Sequence, residues 1–344
     1  MIPDRSNAPV FVGEDVRLGA ITPEEWDRTI QRAGASFILA HKRLTLWRRA
    51  QVLKGSKVRI LRLLADGAIA GICIVRSRNG INTVRERLHL FPEYDVHWAQ
   101  ALQAVLRHVG TGFYRYGPAD SISPPRSAEL LQLAGVQITD VKPYTVHAVD
   151  FGRYAGWEDY ERGLKPGIRN ECRRAESRHG LHLASHSGRA IWPQIGGFAR
   201  DLHRQPHRKG GRRAELRQVI SIALSTATLR GEATMFAAVS DGRALARQYY
   251  VDFGKDRYYT AGAAARLQPS PAWWLTIRAL REAYKRNPGG RVILGSFYPH
   301  LHDGSGDGLL DFRRRCGATS FDSDMFEFRY EAEAAQGISS DESP

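Results

Sequence analysis

The sequence is poor in cysteine, and its few cysteines are far apart. Its 344 residues include three, Cys73, Cys172 and Cys316, and no Cys-x-x-Cys pair. This odd, widely spaced set argues against a disulfide framework and against a thiolate zinc site, and it is typical of a reducing compartment. We therefore expect a cytoplasmic protein.

Long apolar runs are also missing. The longest uninterrupted stretch of apolar and small residues, at 68–75, is far shorter than the ~20 residues that a membrane-spanning helix needs. The first five residues, Met1 to Arg5, lack the apolar core of a signal peptide. We expect neither a transmembrane segment nor a secretory leader.

Familiar catalytic and metal-binding motifs are absent too. The sequence has no Gly-x-Ser-x-Gly elbow, no Walker loop and no dinucleotide fingerprint. Residues 303–308 begin like an EF-hand loop, but the glutamate position of such a loop is taken by Arg314. His203 and His207 have helical spacing, yet Pro206 separates them and no third ligand is apparent. No metal site is predicted.

Acidic residues are in the minority. The chain has 36 Asp and Glu against 50 Lys and Arg, which gives a net charge of +14. Residues 165–213 contribute +9 of this charge, because twelve basic residues stand against Glu171, Glu176 and Asp201. Such a patch attracts phosphate-bearing partners, such as a nucleotide cofactor, RNA or anionic lipid. The alternative is an arginine-rich composition that places Arg on every solvated face.

The most organised stretch of the sequence lies at 232–286. Apolar and aromatic segments at 234–239, 244–253 and 257–261 are separated by turn residues, which predicts a three-strand meander. Ser270 and Pro271 are typical of a helix start, with the serine hydroxyl as the cap. An apolar helix face is then predicted from Trp273, Trp274, Ile277, Leu280 and Tyr284.

The same design occurs earlier in the chain. A turn at Asp66 and a helix at Trp98 precede their counterparts, Asp241 and Trp273, by the same 175 residues. The shared offset favours a duplicated unit, although Asp-Gly turns are common enough to coincide. We predict two α/β domains, at 1–150 and 151–330, each with a mixed, mostly antiparallel sheet flanked by helices in the order βββαβαβ. The acidic, serine-rich residues 331–344 predict a disordered tail.

Three segments of the second half carry a resemblance to a known family. Residues 157–180 look like its arginine-rich helix that ends in glycine, and Tyr258-Tyr259 followed by 270–274 looks like its strand-then-helix segment. In 308–317, Phe312 and Arg313 stand at the position of the family's closing Phe-Lys motif. On these residues the chain resembles the FemAB-like branch of the GNAT superfamily, in a double-GNAT arrangement.

The resemblance implies an enzyme that transfers an acyl or aminoacyl group to an amine of a small molecule or cell-wall precursor, with no permanently bound cofactor. The donor stays open between aminoacyl-tRNA and acyl-CoA. The usual GNAT phosphate loop, Arg/Gln-x-x-Gly-x-Gly/Ala, is absent, as it is in Fem-type enzymes that take aminoacyl-tRNA. An acyl-CoA-dependent N-acetyltransferase is one alternative, and a non-catalytic module that binds RNA or an anionic surface is another.

The resemblance and the chemistry of acyl transfer indicate the site residues. Arg313 replaces the family's lysine and is expected to stabilise an oxyanion, since arginine keeps the charge of lysine but not its readiness to transfer a proton. Phe312 and Tyr259 are expected beside it.

The remaining site residues are expected around this centre. A cleft is expected to be lined by Tyr249, Tyr250, Tyr258 and Trp273. Donor phosphates are expected on Ser270 and on one broad helix face that carries Arg169, Arg173, Arg174 and Arg178. Candidates for a base that deprotonates the amine are Asp252, His300 and His302.

Overall fold

A computed structural model describes residues 9–204, 211–229, 231–301 and 307–332. Some predicted features lie outside these residues: His207, His302, most of the predicted loop at 205–213, the EF-like segment at 303–306, and the tail from 333 onward. Within the described part of the chain, no helix is both long enough and apolar enough to span a bilayer.

The chain divides into two compact units. Of the described residues, the first unit contains 9–144 and 322–332, and the second contains those within 145–321. The strands are β1 (Phe11–Asp15), β2 (Lys57–Ala65), β3 (Ala68–Arg78), β4 (Ile81–Leu90), β5 (Gly112–Tyr116), β6 (Val136–Asp150), β7 (His182–Ser187), β8 (Ala233–Ser240), β9 (Arg243–Phe253), β10 (Asp256–Ala264), β11 (Arg291–Phe297) and β12 (Thr319–Tyr330). The helices are α1 (Pro23–Arg32), α2 (His41–Leu53), α3 (Trp98–Val109), α4 (Ser127–Leu130), α5 (Trp157–Gly163), α6 (Pro166–His179), α7 (Trp192–His203), α8 (Gly211–Thr228), α9 (Pro271–Arg286) and α10 (Asp307–Arg315).

In the first unit the strand order is β1-β2-β3-β4-β5-β12. Neighbours are antiparallel except β4 and β5, which run parallel. The predicted element order placed β12 as the closing strand of the second unit. In the structure most of β12 belongs to the first unit. Aromatic stacking accounts for this, because Phe326 lies 4.5 Å from Tyr116 and Phe328 lies 5.2 Å from Tyr114, centroid to centroid.

The second unit repeats the pattern. Its strand order is β6-β11-β10-β9-β8-β7, and β10 and β11 form the parallel pair. In both units a three-strand meander leads into a long helix, α3 or α9, and then into a strand parallel to the last strand of the meander. The predicted α/β fold of tandem units with mixed, mostly antiparallel sheets is therefore confirmed.

Both meanders begin with the same kind of turn. Asp66 and Gly67 have φ of +49° and +84°, and Asp241 and Gly242 have φ of +47° and +72°. Two successive residues with positive φ define a type I′ turn, which matches the twist of the flanking strands and favours Asp-Gly. The residues chosen from the sequence as hairpin turns thus form them.

Two predicted elements differ from the structure. Residues 182–187 form strand β7, where the sequence indicated only a connection at 186–189, and 211–213 are helical where a loop was predicted. Strand β7 lies at the end of the strand order and pairs with β8 alone. Its one large apolar residue, Leu183, gives no alternating pattern, so the sequence carried little sign of a strand.

Candidate functional site

Strands β10 and β11 separate inside the second unit. They pair at three positions only, Asp256–Tyr258 with Arg291–Ile293, although both strands continue beyond this point. The register of β10 on β9 shifts next to Tyr259, and that of β11 on β6 shifts next to Gly295. The parted strand ends open a gap in the sheet beside these two residues.

Arg313 lies at this gap. Its side chain on α10 is only 4% exposed, and Nη2 donates to the carbonyl of Ser296 on β11 at 3.2 Å. Nε and Nη1 are also buried, and neither has a hydrogen-bond partner among the described residues. Burial lowers the pKa of Arg313 to about 10, while nearby Tyr259 and Tyr298 act in the opposite direction. The guanidinium is therefore still a cation at neutral pH.

The surroundings of Arg313 suit a developing negative charge. A buried guanidinium with unfilled donors is costly unless another group completes its hydrogen bonds. The ion pairs of the described residues give Arg313 no carboxylate partner. A fixed positive charge with N–H donors in a water-poor site is what stabilises the oxyanion of acyl transfer.

Gly295 allows the guanidinium to come this close to β11. Its φ is +99°, a backbone conformation that side-chain-bearing residues rarely adopt. A Cβ on Gly295 would also lie 3.1 Å from Nη2 of Arg313. The backbone conformation at position 295 and the short distance to Arg313 therefore both favour glycine there.

The structure brings three more predicted residues to this region. Tyr259 is half-buried, interacts electrostatically with Arg313 and packs edge-on against Tyr250 with 5.5 Å between ring centroids. Phe312 precedes Arg313 on α10, and its ring centroid lies 4.9 Å from that of Trp273 on α9. Both rings are partly buried against the core of the second unit.

The other predicted cleft residues lie in the core. Tyr250 is fully buried, and its hydroxyl donates to Oε1 of Gln248 at 2.8 Å. Tyr249 is the next residue along β9 and therefore points to the opposite face, where its hydroxyl lies 3.0 Å from Oγ1 of Thr226 on α8. Tyr258 is also buried. The structure brings Tyr259 to Arg313 and keeps these three in packing positions.

Ser270 differs from its predicted role. It directly precedes α9, but its hydroxyl makes no capping hydrogen bond, so that prediction is wrong. Its backbone N–H instead donates to Oε1 of Glu171 on α6 at 3.2 Å. A carboxylate thus occupies the N-terminal end of α9, where the helix dipole and unpaired N–H groups would otherwise attract a phosphate.

The four predicted arginines of α6 divide into two pairs. Arg169 and Arg173 line a groove between α6 and α9 with a cavity volume of about 60 Å³. Arg174 and Arg178 are exposed and do not line it. All four arginines lie on α6, and the role of this helix face in binding phosphate stays a prediction.

Of the suggested bases, the structure describes Asp252 and His300. The two carboxylate oxygens of Asp252 accept from Arg257 at 2.6 and 2.8 Å, and Oδ1 also pairs with Arg286 at 2.5 Å. Its charge is therefore already balanced. His300 is exposed, and His302 lies outside the described residues.

His147 is a neighbour of this region that the sequence did not indicate. It is 3% exposed, pairs with Gly295 across β6 and β11, and lies 3.0 Å from Oγ1 of Thr145 and 3.1 Å from Oγ of Ser320. Burial and the charges of Arg313 and Arg314 lower the pKa of His147 to about 4. The imidazole is therefore neutral at pH 7, and no motif around it would have revealed it.

The first unit has a separate group of buried polar residues. Glu86 and Arg87 on β4 have φ of +58° and +80°. Oε2 of Glu86 accepts from the Ser36 hydroxyl at 2.8 Å, and burial together with the charge of Asp120 raises the pKa of Glu86 to about 7. Arg87 is also buried and pairs with Asp324 on β12 at 3.1 Å. Among the described residues, no three His, Cys, Asp or Glu are grouped so that they could hold a metal ion.

The fold of this chain is similar to those of several solved structures. The structure of FemX aligns over 93% of this chain and 97% of its own, with 12% identity and a TM-score of 0.66. A conserved protein of unknown function from Bacteroides thetaiotaomicron VPI-5482 aligns over 93% and 99%, with 10% identity and a TM-score of 0.55. A tandem GNAT protein from the clavulanic acid biosynthesis pathway aligns over 94% and 99%, with 14% identity and a TM-score of 0.48.

The chain has the fold of FemX, so the fold that the resemblance implied is confirmed. No protein-family model matches the sequence, and no curated protein matches it either.

Proposed function

We propose that this chain is an acyltransferase that forms an amide bond beside Arg313. The observation that carries the proposal is the buried guanidinium of Arg313, which lies where β10 and β11 separate and has two nitrogens without a hydrogen-bond partner among the residues that the structure describes. The resemblance of Phe312 and Arg313 to the closing motif of the FemAB-like family supports it.

In the proposed reaction a neutral amine attacks the carbonyl carbon of the acyl donor. The carbonyl oxygen becomes the oxyanion of a tetrahedral intermediate, and Arg313 donates to it from Nε and Nη1. When the intermediate collapses, the carbonyl re-forms, the bond to the leaving group breaks, and the proton lost by the amine goes to that leaving group. Arg313 stabilises the negative charge and transfers no proton in the reaction, because its pKa of about 10 keeps it protonated at pH 7.

Aminoacyl-tRNA is the donor that we favour. Glu171 places a negative charge at the start of α9, which opposes the binding of a coenzyme A pyrophosphate there. The excess of basic residues at 165–213 attracts a polyanion such as tRNA. With this donor the bond that breaks is the ester to the terminal ribose, and with acyl-CoA, the alternative, it is the thioester.

The acceptor in this proposal is an amine of a small molecule or of a cell-wall precursor. This choice of acceptor rests on the family resemblance. The cysteines Cys73, Cys172 and Cys316 are free thiols, which suits the cytoplasm, where charged tRNA is present. A non-catalytic module that binds RNA or an anionic surface is the rival from another class, since it would use the basic patch and have no need of Arg313.

A transfer assay separates these functions. The purified chain is incubated with a pool of labelled aminoacyl-tRNA or with labelled acetyl-CoA, together with a panel of amines and cell-wall precursor peptides, at 50 and 200 mM salt. The proposal expects label to move from aminoacyl-tRNA to an amine, with a steep loss at the higher salt. Transfer from acetyl-CoA alone would establish the alternative donor. A salt-sensitive RNA complex without transfer from either donor would support the binding module.

A further inference from the structure

Helix α8 of the second unit has an exposed face that is apolar. Leu216, Ile220 and Leu224 follow one another at intervals of four residues, so they lie on one side of the helix. Their exposed fractions are 60%, 47% and 46%, respectively. The opposite side of α8 packs on the sheet, where Oγ1 of Thr226 lies 3.0 Å from the hydroxyl of Tyr249. The three aliphatic side chains therefore form a stripe that faces solvent.

Such a stripe is unusual on the outer side of a helix. A surface helix of a globular protein normally presents charged and polar residues to solvent and keeps its large apolar residues for the core. Single apolar residues scattered over a surface are ordinary, whereas a contiguous row of them is typical of an interaction surface. The stripe of α8 therefore indicates a binding partner.

The exposed charges of α8 are positive. Arg212, Arg213 and Arg217 are all exposed in its first two turns. Arg213 and Arg217 each stand three residues before a member of the stripe, so they border it. The one acidic residue of α8, Glu215, has a side chain that is only 18% exposed and lies 3.5 Å from Nδ1 of His203. The outer face of α8 thus combines aliphatic groups with cations.

This combination favours an anionic lipid surface as the partner. A second copy of the chain would bring the same arginines to the contact, and three side chains are far fewer than the about 20–30 residues a side of a stable protein interface. An RNA backbone would pair with the arginines but leave the aliphatic side chains in water. A bilayer interface accepts both kinds of group, because aliphatic side chains enter the acyl boundary while arginines stay among the phosphate head groups.

We propose that α8 docks the second unit on a membrane surface that contains anionic lipid. Leu216, Ile220 and Leu224 enter the interface, and the three arginines contact the head groups. The helix lies along the membrane surface and does not cross it. Docking does not depend on acyl transfer, so a failure of this proposal and a failure of the proposed function can be told apart.

The test is co-sedimentation of the full chain with vesicles of phosphatidylcholine alone or of equal parts phosphatidylcholine and phosphatidylglycerol, at 50 and 200 mM salt. Binding should be strong only on the anionic vesicles and should weaken at the higher salt. Leu216→Gln and Ile220→Gln should each weaken it about threefold to tenfold, because less apolar surface leaves water. Arg213→Gln should weaken it about fivefold, the effect of one charge near an anionic surface. The matched control is Leu53→Gln, which makes the same change at an 88% exposed residue of the first unit.

These substitutions are on the surface, so thermal unfolding of each variant should match that of the wild type. No binding of the wild type to anionic vesicles would overturn the proposal, including a case in which the chain binds a short RNA instead. Leu216→Gln and Ile220→Gln variants that bind like Leu53→Gln would also overturn it, since the arginines alone would then account for binding. A wild-type dimer that Ile220→Gln dissociates, measured by sedimentation equilibrium without lipid, would assign the stripe to a second copy and overturn it as well.

Discussion

Arg313 and Gly295 are fitted to each other. The guanidinium of Arg313 donates to the carbonyl of the residue after Gly295, and a Cβ on Gly295 would lie 3.1 Å from Nη2. The glycine is held at a φ of +99° by its place in β11, next to the shift in register with β6. The strand irregularity thus makes the space in which a buried arginine can sit without a carboxylate partner.

This relationship predicts the effect of Gly295→Ala. The alanine must adopt an unfavourable φ and push against Arg313, so the free energy of unfolding should fall by about 1–3 kcal/mol. Acyl transfer should fall as well, because the guanidinium is displaced. Urea unfolding and the transfer rate check the two effects.

The control for this change is Gly196→Ala. Gly196 lies within α7, and a Cβ there would meet nothing within 4 Å. Gly196→Ala should leave the free energy of unfolding unchanged or raise it by about 0.5–1 kcal/mol, because alanine is favoured over glycine in a helix interior. If the two alanine variants had equal stability, the fit between Gly295 and Arg313 would not matter.

Asp252 is predicted to be important for stability. It is 7% exposed, as is Arg257, and it also pairs with Arg286. Asp252→Asn keeps the volume but leaves a buried guanidinium without its counter-charge, so the free energy of unfolding should fall by about 3–5 kcal/mol. Chemical denaturation measures this fall.

Lys285→Gln is the comparison for Asp252→Asn. It breaks the exposed pair with Glu282, in which the lysine side chain is 61% exposed. Such a pair is worth well under about 1 kcal/mol. An Asp252→Asn variant that unfolded at the same urea concentration as Lys285→Gln would refute the structural role assigned to this carboxylate.

Glu86 predicts a pH dependence of stability. Burial and the charge of Asp120 raise its pKa from 4.5 to about 7, so between these values the folded chain keeps a proton that the unfolded chain releases. The contribution of Glu86 to the free energy of unfolding is fully present below about pH 4.5 and is lost as the pH rises through 7. The loss is roughly 3 kcal/mol at most.

Glu86→Gln tests this pH dependence because glutamine resembles the protonated acid. Urea unfolding of the wild type should show stability falling from pH 5 to pH 8, and the variant should show a much smaller fall. Some slope remains, since the pKa of Asp120 is also raised by burial. Identical slopes in the two proteins would mean that Glu86 does not hold this proton.

The sequence predicted the parts of the fold that depend on local chemistry. The Asp66-Gly67 and Asp241-Gly242 turns, the buried face of α9 and the three-strand meanders that precede α3 and α9 follow from turn residues and apolar spacing. The choice of Arg313 and Phe312 as neighbours of a site came from the family resemblance, and their role remains a proposal.

The features that the sequence missed depend on tertiary partners. Tyr249 and Tyr250 are equally aromatic, and only the helices packed on the two sheet faces make both of them core residues. Glu171 reaches Ser270 from another helix, 99 positions away in the chain. Likewise, the pairing of β12 with β5 is decided by aromatic stacking that no local pattern encodes.

The central claim is that Arg313 stabilises the oxyanion of acyl transfer, and single-turnover kinetics with the preferred donor test it most directly. Arg313→Ala should lower the rate by about 10²–10³-fold, the usual cost of losing an oxyanion donor. Donor binding should be retained, and Arg313→Lys should recover part of the rate. Arg314→Ala, which removes an exposed charge from the same helix, should turn over like the wild type. A folded Arg313→Ala variant with the same rate as Arg314→Ala would contradict the account.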